Sequence, residues 1–92
     1  MAKLGKAKFV SDRQEAKGFL ILGGAVALLE EIGRVCLVCA NRSVLGQVQQ
    51  IFRVRDEGIL DDSYPILPFF LKRTSLEELL ETLETGGFEI VD

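Results

Sequence analysis

The stretch that decides the fold runs from Gly18 to Phe52 and reads GFLILGGAVALLEEIGRVCLVCANRSVLGQVQQIF. Its apolar residues recur first at helical spacing, then almost without interruption, then at helical spacing again. This order predicts a helix, a buried strand, a loop and a second, amphipathic helix. Such an order is typical of a layered α/β domain, in which helices cover a central sheet.

The first of these helices is expected from about Arg13 or Lys17 to Ile32, with Gly33 at its end. Gly23 and Gly24 would then lie inside the helix, where close approach to a strand would explain them. Ser11 and Asp12 both fit the N-cap of this helix, since each is followed three residues later by a Gln or Glu. The sequence leaves open which of the two caps it.

The strand that follows, from Arg34 to Ala40, is apolar on both faces, which is typical of a parallel strand covered on both sides. Asn41-Arg42-Ser43 is expected to form a turn with a helix cap, followed by a helix from Val44 to about Arg53. Tyr64 to Leu71 reads as an edge strand because Pro65 and Pro68 cannot donate ladder hydrogen bonds. Thr74 or Ser75 caps a third helix, and Phe88 to Val91 is either a short strand or a docked tail.

We therefore expect a small layered α/β domain with a mainly parallel short sheet packed by about three helices. It would be a single domain over residues 1–92, with residues 1–8 as a loose N-terminal arm. The length of 92 residues suits one domain, and the composition of 48% hydrophobic and 27% charged residues is ordinary for a soluble protein. No apolar stretch reaches the ~18–20 residues that a membrane helix needs, and no signal peptide is recognised, so we expect a cytoplasmic protein.

Charge is distributed unevenly, although the net charge is only −3. The first seventeen residues are basic, whereas Ser75 to Asp92 contains acidic residues and no Lys or Arg. Solvated faces explain this pattern, and head-to-tail attraction between two copies is the alternative. Nucleic-acid binding is not expected, because the basic residues are few and have almost no aromatic residues between them.

The two cysteines, Cys36 and Cys39, have the C-x-x-C spacing of redox and zinc sites. They lie within an apolar strand rather than at a helix N-terminus, and the chain has no His. We interpret them as buried structural thiols, and we expect no metal and no cofactor. An enzyme or phosphocarrier using either thiol is a weaker alternative, because no carboxylate or Lys is convincingly placed as a general base.

From Glu15 to Leu83 the chain resembles the STAS family, the sulfate-transporter and anti-sigma-factor-antagonist domains. Glu15-Ala16-Lys17-Gly18-Phe19 stands where that family has a turn opening its first main helix. VCLVCAN, the Ser43-led helix, the Gly58-Ile59-Leu60 turn, the ILPFF strand and TSLEELLETL follow in the family's order.

Three differences from the family stand out. The serine that a partner kinase phosphorylates in the antagonists is matched by Ala16, so the resemblance implies that this switch is absent. Strands that precede this point in the family are missing or replaced, and Phe69 to Arg73 looks like an insertion.

The resemblance implies a non-enzymatic regulatory module that binds a protein partner of the regulatory or kinase class. The helix start and the turn after the central strand are the expected partner-binding residues: Ser11, Asp12, Glu15, Lys17, Gly18, Asn41 and Arg42. Helix capping alone would also explain Ser11 and Asp12. The alternative function is a structural or oligomerisation subunit that pairs through an exposed sheet edge, and we expect a homodimer formed through the N-terminal edge.

Overall fold

The computed structural model describes residues 4–91, and within this range the chain forms a mixed sheet covered by helices on both faces. Residues 1–3 of the expected arm, and Asp92, lie outside the described residues. The strands are β1 (Gly5–Val10), β2 (Val26–Glu31), β3 (Arg34–Cys39), β4 (Gly58–Leu60), β5 (Tyr64–Phe70) and β6 (Phe88–Val91). The α-helices are α1 (Arg13–Ile21), α2 (Arg42–Phe52) and α3 (Leu76–Thr85), and a 3-10 turn spans Asp61–Ser63.

The six strands lie in the order β4-β5-β3-β2-β1-β6. Strand β1 is parallel to both of its neighbours, β2 and β6, whereas β2–β3, β3–β5 and β4–β5 are antiparallel. The α/β class is confirmed, but the expectation of a mainly parallel sheet is wrong. The reason is that β2 returns directly into β3 through a hairpin, so the central strand β3 is antiparallel on both sides.

The predicted helix to Ile32 is wrong in its second half, because α1 ends at Ile21 and Val26–Glu31 forms β2. Residues 26–29 are all buried, so the strand shows no alternation, and its apolar row fits a helix equally well. The glycines mark the boundaries instead. Gly23 has a φ of +97° in the turn after α1, and Gly33 has a φ of +75° in the hairpin turn.

Each face of the sheet carries its own apolar cluster. The first cluster lies under α2 and α3 and includes Leu28, Leu37, Val48 and Leu79. The second lies under α1 and includes Val10, Ala16, Leu20, Leu29 and Cys36. Strand β3 contributes alternate residues to the two clusters, which explains why it is apolar on both faces as expected.

The expected loose arm is partly wrong, because residues 5–8 belong to β1. That strand lies between β2 and β6, so the N-terminal strand is not at an edge of the sheet. Residues 88–91 take the strand alternative, and β6 occupies the position beside β1. The premise of an uncovered N-terminal edge therefore fails.

Strand β5 is not the edge strand expected from its prolines. It lies between β3 and β4, and β4 pairs only with residues 64–66. The segment from Gly58 to Leu60, expected as a turn, is this short outer strand β4. Among the described residues no helix has the length and apolarity to cross a membrane.

Candidate functional site

A groove open to solvent lies between the end of β1 and one flank of α1. Its volume is about 510 Å³, and Lys8, Phe9 and Val10 line it on the strand side. On the helix side it is lined by Ser11, Glu15, Gly18, Phe19 and Leu22. Glu15, Gly18 and Leu22 are three or four residues apart, so they share one flank of the helix. Three of the seven expected partner-binding residues, Ser11, Glu15 and Gly18, are therefore brought together here.

Gly18 forms the open part of the helical wall. A Cβ at this position would meet no atom within 4 Å, so the helix backbone is accessible from the groove. Beyond it, Ile21 and Leu22 are 76% and 88% exposed, and Phe9 on the strand side is 36% exposed. The groove thus combines an exposed helix flank with apolar side chains that the rest of the fold does not cover.

The start of α1 resolves the capping question. Asp12 is the N-cap, and its Oδ1 accepts a hydrogen bond from the backbone N–H of Glu15 at 2.8 Å. Ser11 is exposed, and its Oγ donates to Glu15 Oε2 at 3.4 Å. Lys17 is half-buried on α1. Asp12 therefore has a structural role, whereas Ser11 and Glu15 present polar groups at the mouth of the groove.

Asn41 and Arg42, which were also expected to bind a partner, do not line the groove. Ala40 donates its backbone N–H to the carbonyl of Ala25, just before β2, whereas Val10, just before Ser11, pairs with Leu29 near the end of β2. The two sites are therefore at opposite ends of the strands, and α1 and α2 cover opposite faces. Asn41 caps α2 by accepting from Val44 N–H at 2.9 Å, so the expected cap is present, but the helix begins at Arg42 rather than at Val44. Arg42 pairs with Glu57 at 2.9 Å.

A cluster of ionic side chains connects α1 to the β2–β3 hairpin. Glu31 accepts from Arg34 Nε at 2.7 Å and from Arg13 at 2.9 Å. The hydrogen bond from Arg34, and then that from Arg13, lower the pKa of Glu31, although its burial opposes them. Because both arginines are engaged by Glu31, the cluster reads as a structural connection rather than a ligand site.

The two thiols lie on opposite faces of β3, Cys36 in the cluster under α1 and Cys39 in the other. Both are buried and free. Burial raises the pKa of Cys36, with a further contribution from the charge of Glu31, and burial raises the pKa of Cys39 to about 12. Two thiols on opposite faces of one strand cannot pair with each other. Within residues 4–91 no group of His, Cys, Asp or Glu side chains could hold a metal ion.

Four apolar residues line the groove, and none of them was among the expected partner-binding residues: Phe9, Val10, Phe19 and Leu22. Phe19 and Leu22 fall within the helix that was expected to continue to Ile32. The signal that could have revealed them is Gly23-Gly24, because a glycine pair more often ends a helix than continues it. With α1 ending at Ile21, Leu22 becomes its exposed C-cap residue.

One part of the region that resembles the STAS family takes a different local structure from the one that the resemblance implies. Glu15 to Phe19 lies within α1, after the cap, rather than in a turn before the helix. Ala16 is fully buried against the sheet. TSLEELLETL does contain the closing helix α3, capped by Ser75. Comparison with protein-family models, with curated proteins and with solved structures found no match for this chain.

Proposed function

We propose that this chain is a non-enzymatic regulatory module that binds a protein partner along the groove beside α1. The observation that carries the proposal is the exposure of Leu22, at 88%, in the lining of a groove whose helix flank is open at Gly18. Large apolar side chains grouped around a groove are typical of protein interaction sites. The STAS resemblance supports the same segment as a partner-binding region, and a protein of the regulatory or kinase class as the partner.

The shape of the groove favours an amphipathic helix as the bound element. An exposed backbone at Gly18 allows a second helix to approach closely, and Phe9, Phe19 and Leu22 offer apolar contacts for its inner stripe. Lys8 and Glu15 lie on opposite walls of the groove. A helix with an acidic side chain on one flank and a basic one on the other would therefore bind in one orientation.

The non-enzymatic part of the proposal is supported by the thiols. Cys36 and Cys39 are the chain's strongest nucleophiles, and burial raises both pKa values, which keeps the thiols protonated at neutral pH. Neither thiol lines the groove. A binding role requires no proton transfer from either of them.

A photo-crosslinking amino acid at Leu22 tests the proposal, with the same group at Ile59 as control. Ile59 is 66% exposed but lies on β4, at the far edge of the sheet. In cells of the native source we expect a crosslink to one protein from position 22 only, and sequencing of the crosslinked peptide should reveal an amphipathic helix.

Two substitutions at Gly18 make this test specific to the groove. Gly18→Arg fills the groove without a clash, since its Cβ meets open space, and should abolish the crosslink. Gly18→Ala adds a single methyl group and should retain it. A crosslink that persists unchanged in Gly18→Arg would exclude the groove as the binding site.

A further inference from the structure

Strand β6 forms one edge of the described sheet and exposes unpaired backbone groups. It is hydrogen-bonded to β1 alone among the described strands. The carbonyl of Gly87 accepts from Leu4 N–H at 2.9 Å and so faces the β1 side. Because successive residues of a strand direct their backbone groups to opposite sides, Glu89 and Val91 face β1, whereas Phe88 and Ile90 face outward.

The outer edge of β6 has little of the protection that edge strands usually carry. Phe88–Val91 reads FEIV and contains no Pro and no Lys, the residues that most often block edge pairing. The opposite edge, β4, has only three residues and is flanked by acidic Asp56, Glu57 and Asp61. A symmetric contact between two β4 strands would bring these like charges together, so β6 is the favoured edge.

We propose that two copies of this chain pair their β6 strands antiparallel, about a two-fold axis that places Ile90 opposite the partner's Ile90. Since Ile90 directs its N–H and C=O outward, the two residues can exchange both hydrogen bonds. Glu89 then lies opposite the partner's Val91. The register centred on Glu89 would instead oppose two carboxylates whose Cβ atoms are about 5 Å apart, which is destabilising.

The charges beside β6 fit the same register. Glu89 and Val91 lie on the face of the sheet opposite to that of Phe88 and Ile90. In register with them on β1 are two lysines, Lys6 beside Glu89 and Lys8 beside Val91. Across the two-fold axis each Glu89 would therefore lie between its own Lys6 and the Val91–Lys8 row of the second copy. On the other face, the two Ile90 side chains would extend the apolar cluster that includes Phe88 and Ile90. Apart from Lys8, the residues of this dimer contact are different from those that line the α1 groove.

A charge-swap experiment tests the position of the two-fold axis directly. Only a residue on that axis lies opposite the same residue of the second copy. The full chain should sediment as a concentration-dependent dimer at micromolar concentration. Ile90→Lys alone and Ile90→Glu alone should each be monomeric, since each opposes like charges. An equimolar mixture of the two variants should form a mixed dimer. A strictly monomeric parent chain, or folded Ile90 variants that dimerise separately, would overturn the proposal.

A second pair of variants avoids the half-buried position 90. Glu89 and Glu84 are both exposed, and Glu84 lies on α3 rather than on the edge strand. Glu89→Lys would place a third cation in the row formed by Lys6 and the partner's Lys8. We expect it to weaken dimerisation about tenfold. Glu84→Lys changes the net charge equally and should leave the dimer intact. Equal effects of both substitutions would contradict the β6 contact.

Discussion

Glu31 shows at the scale of one residue how the chain joins α1 to its hairpin. The side chain is 19% exposed and binds Arg34 and Arg13, which lower its pKa below the usual 4.5. A carboxyl whose pKa is lowered by folding stabilises the fold above its unfolded pKa, and this contribution is lost as the pH falls through the folded value. Glu31→Gln should therefore cost about 1 kcal/mol at neutral pH.

The same substitution should also remove part of the acid sensitivity. Urea unfolding of the parent chain should show stability falling as the pH drops below 4.5, and Glu31→Gln should flatten that dependence. Glu30→Gln, at the exposed neighbouring position, is the matched control. An acid profile in Glu31→Gln identical to that of the parent would mean that the arginine bonds contribute nothing in solution.

Cys39 should give the opposite pH dependence, at the alkaline end. Burial raises its pKa from 9.0 to about 12, so the folded state keeps the thiol protonated where the unfolded chain ionises. Its contribution is complete below pH 9 and is lost as the pH rises toward 12. Urea unfolding across this range should show falling stability, and Cys39→Ala should reduce the slope.

Thiol labelling gives an independent measure of the same burial. Cys36 and Cys39 are both fully buried, so maleimide should label the native chain slowly and the urea-unfolded chain rapidly. Rapid labelling of either thiol under native conditions would contradict the packing of β3.

At the scale of an element, substitutions at two glycines test where α1 ends. Gly18 lies on the exposed flank of the helix, where a Cβ meets nothing within 4 Å. Gly24 lies just beyond the helix, where a Cβ would clash with the Phe19 ring. Gly18→Ala should therefore stabilise the chain by up to about 1 kcal/mol. Gly24→Ala should destabilise it by about 1–3 kcal/mol, because the ring must move.

Chemical denaturation of the two alanine variants checks this contrast. Both substitutions add one methyl group to the same short region, so each controls for the other. If Gly24 lay inside a helix, as the sequence-based expectation had it, both variants would be stabilised. Opposite signs would support the end of α1 at Ile21.

Sequence patterns identified the elements that are marked by a local feature, such as a helix cap. Asn41 and Ser75 cap their helices through side-chain hydrogen bonds. Residue types indicate where such a cap lies, although they left open which of two or three neighbouring residues forms it. Strand β2 could not be distinguished from a helix, because burial on both faces removes the alternation that marks a strand. The groove was only partly foreseen for the same reason, since the exposure of Leu22 depends on where α1 ends.

Contacts between distant segments were beyond the reach of local patterns. Pro65 and Pro68 indicate an edge strand, yet β4 pairs with the first half of β5. The position of β6 beside β1 joins the two ends of the described chain, and no local signal in Phe88 to Val91 specifies it. The expected N-terminal sheet edge was wrong because this last strand covers β1.

At the scale of the whole molecule, β6 completes the core through Phe88. This side chain is fully buried in the cluster under α2 and α3, and it belongs to the last described strand. Phe88→Ala should cost about 3–5 kcal/mol, since it removes a large buried side chain and leaves a cavity. A domain of this size has a total stability of only about 5–15 kcal/mol, so a large fraction should be lost.

Phe70→Ala is the matched control for Phe88→Ala. Phe70 ends β5 and is 61% exposed, so the same truncation should change stability by less than about 1 kcal/mol. Thermal unfolding followed by circular dichroism distinguishes the two variants. If Phe88→Ala were as mild as Phe70→Ala, β6 would be a loosely attached tail. In that case the β1 edge would be open after all, and the β6 dimer would lose its structural basis.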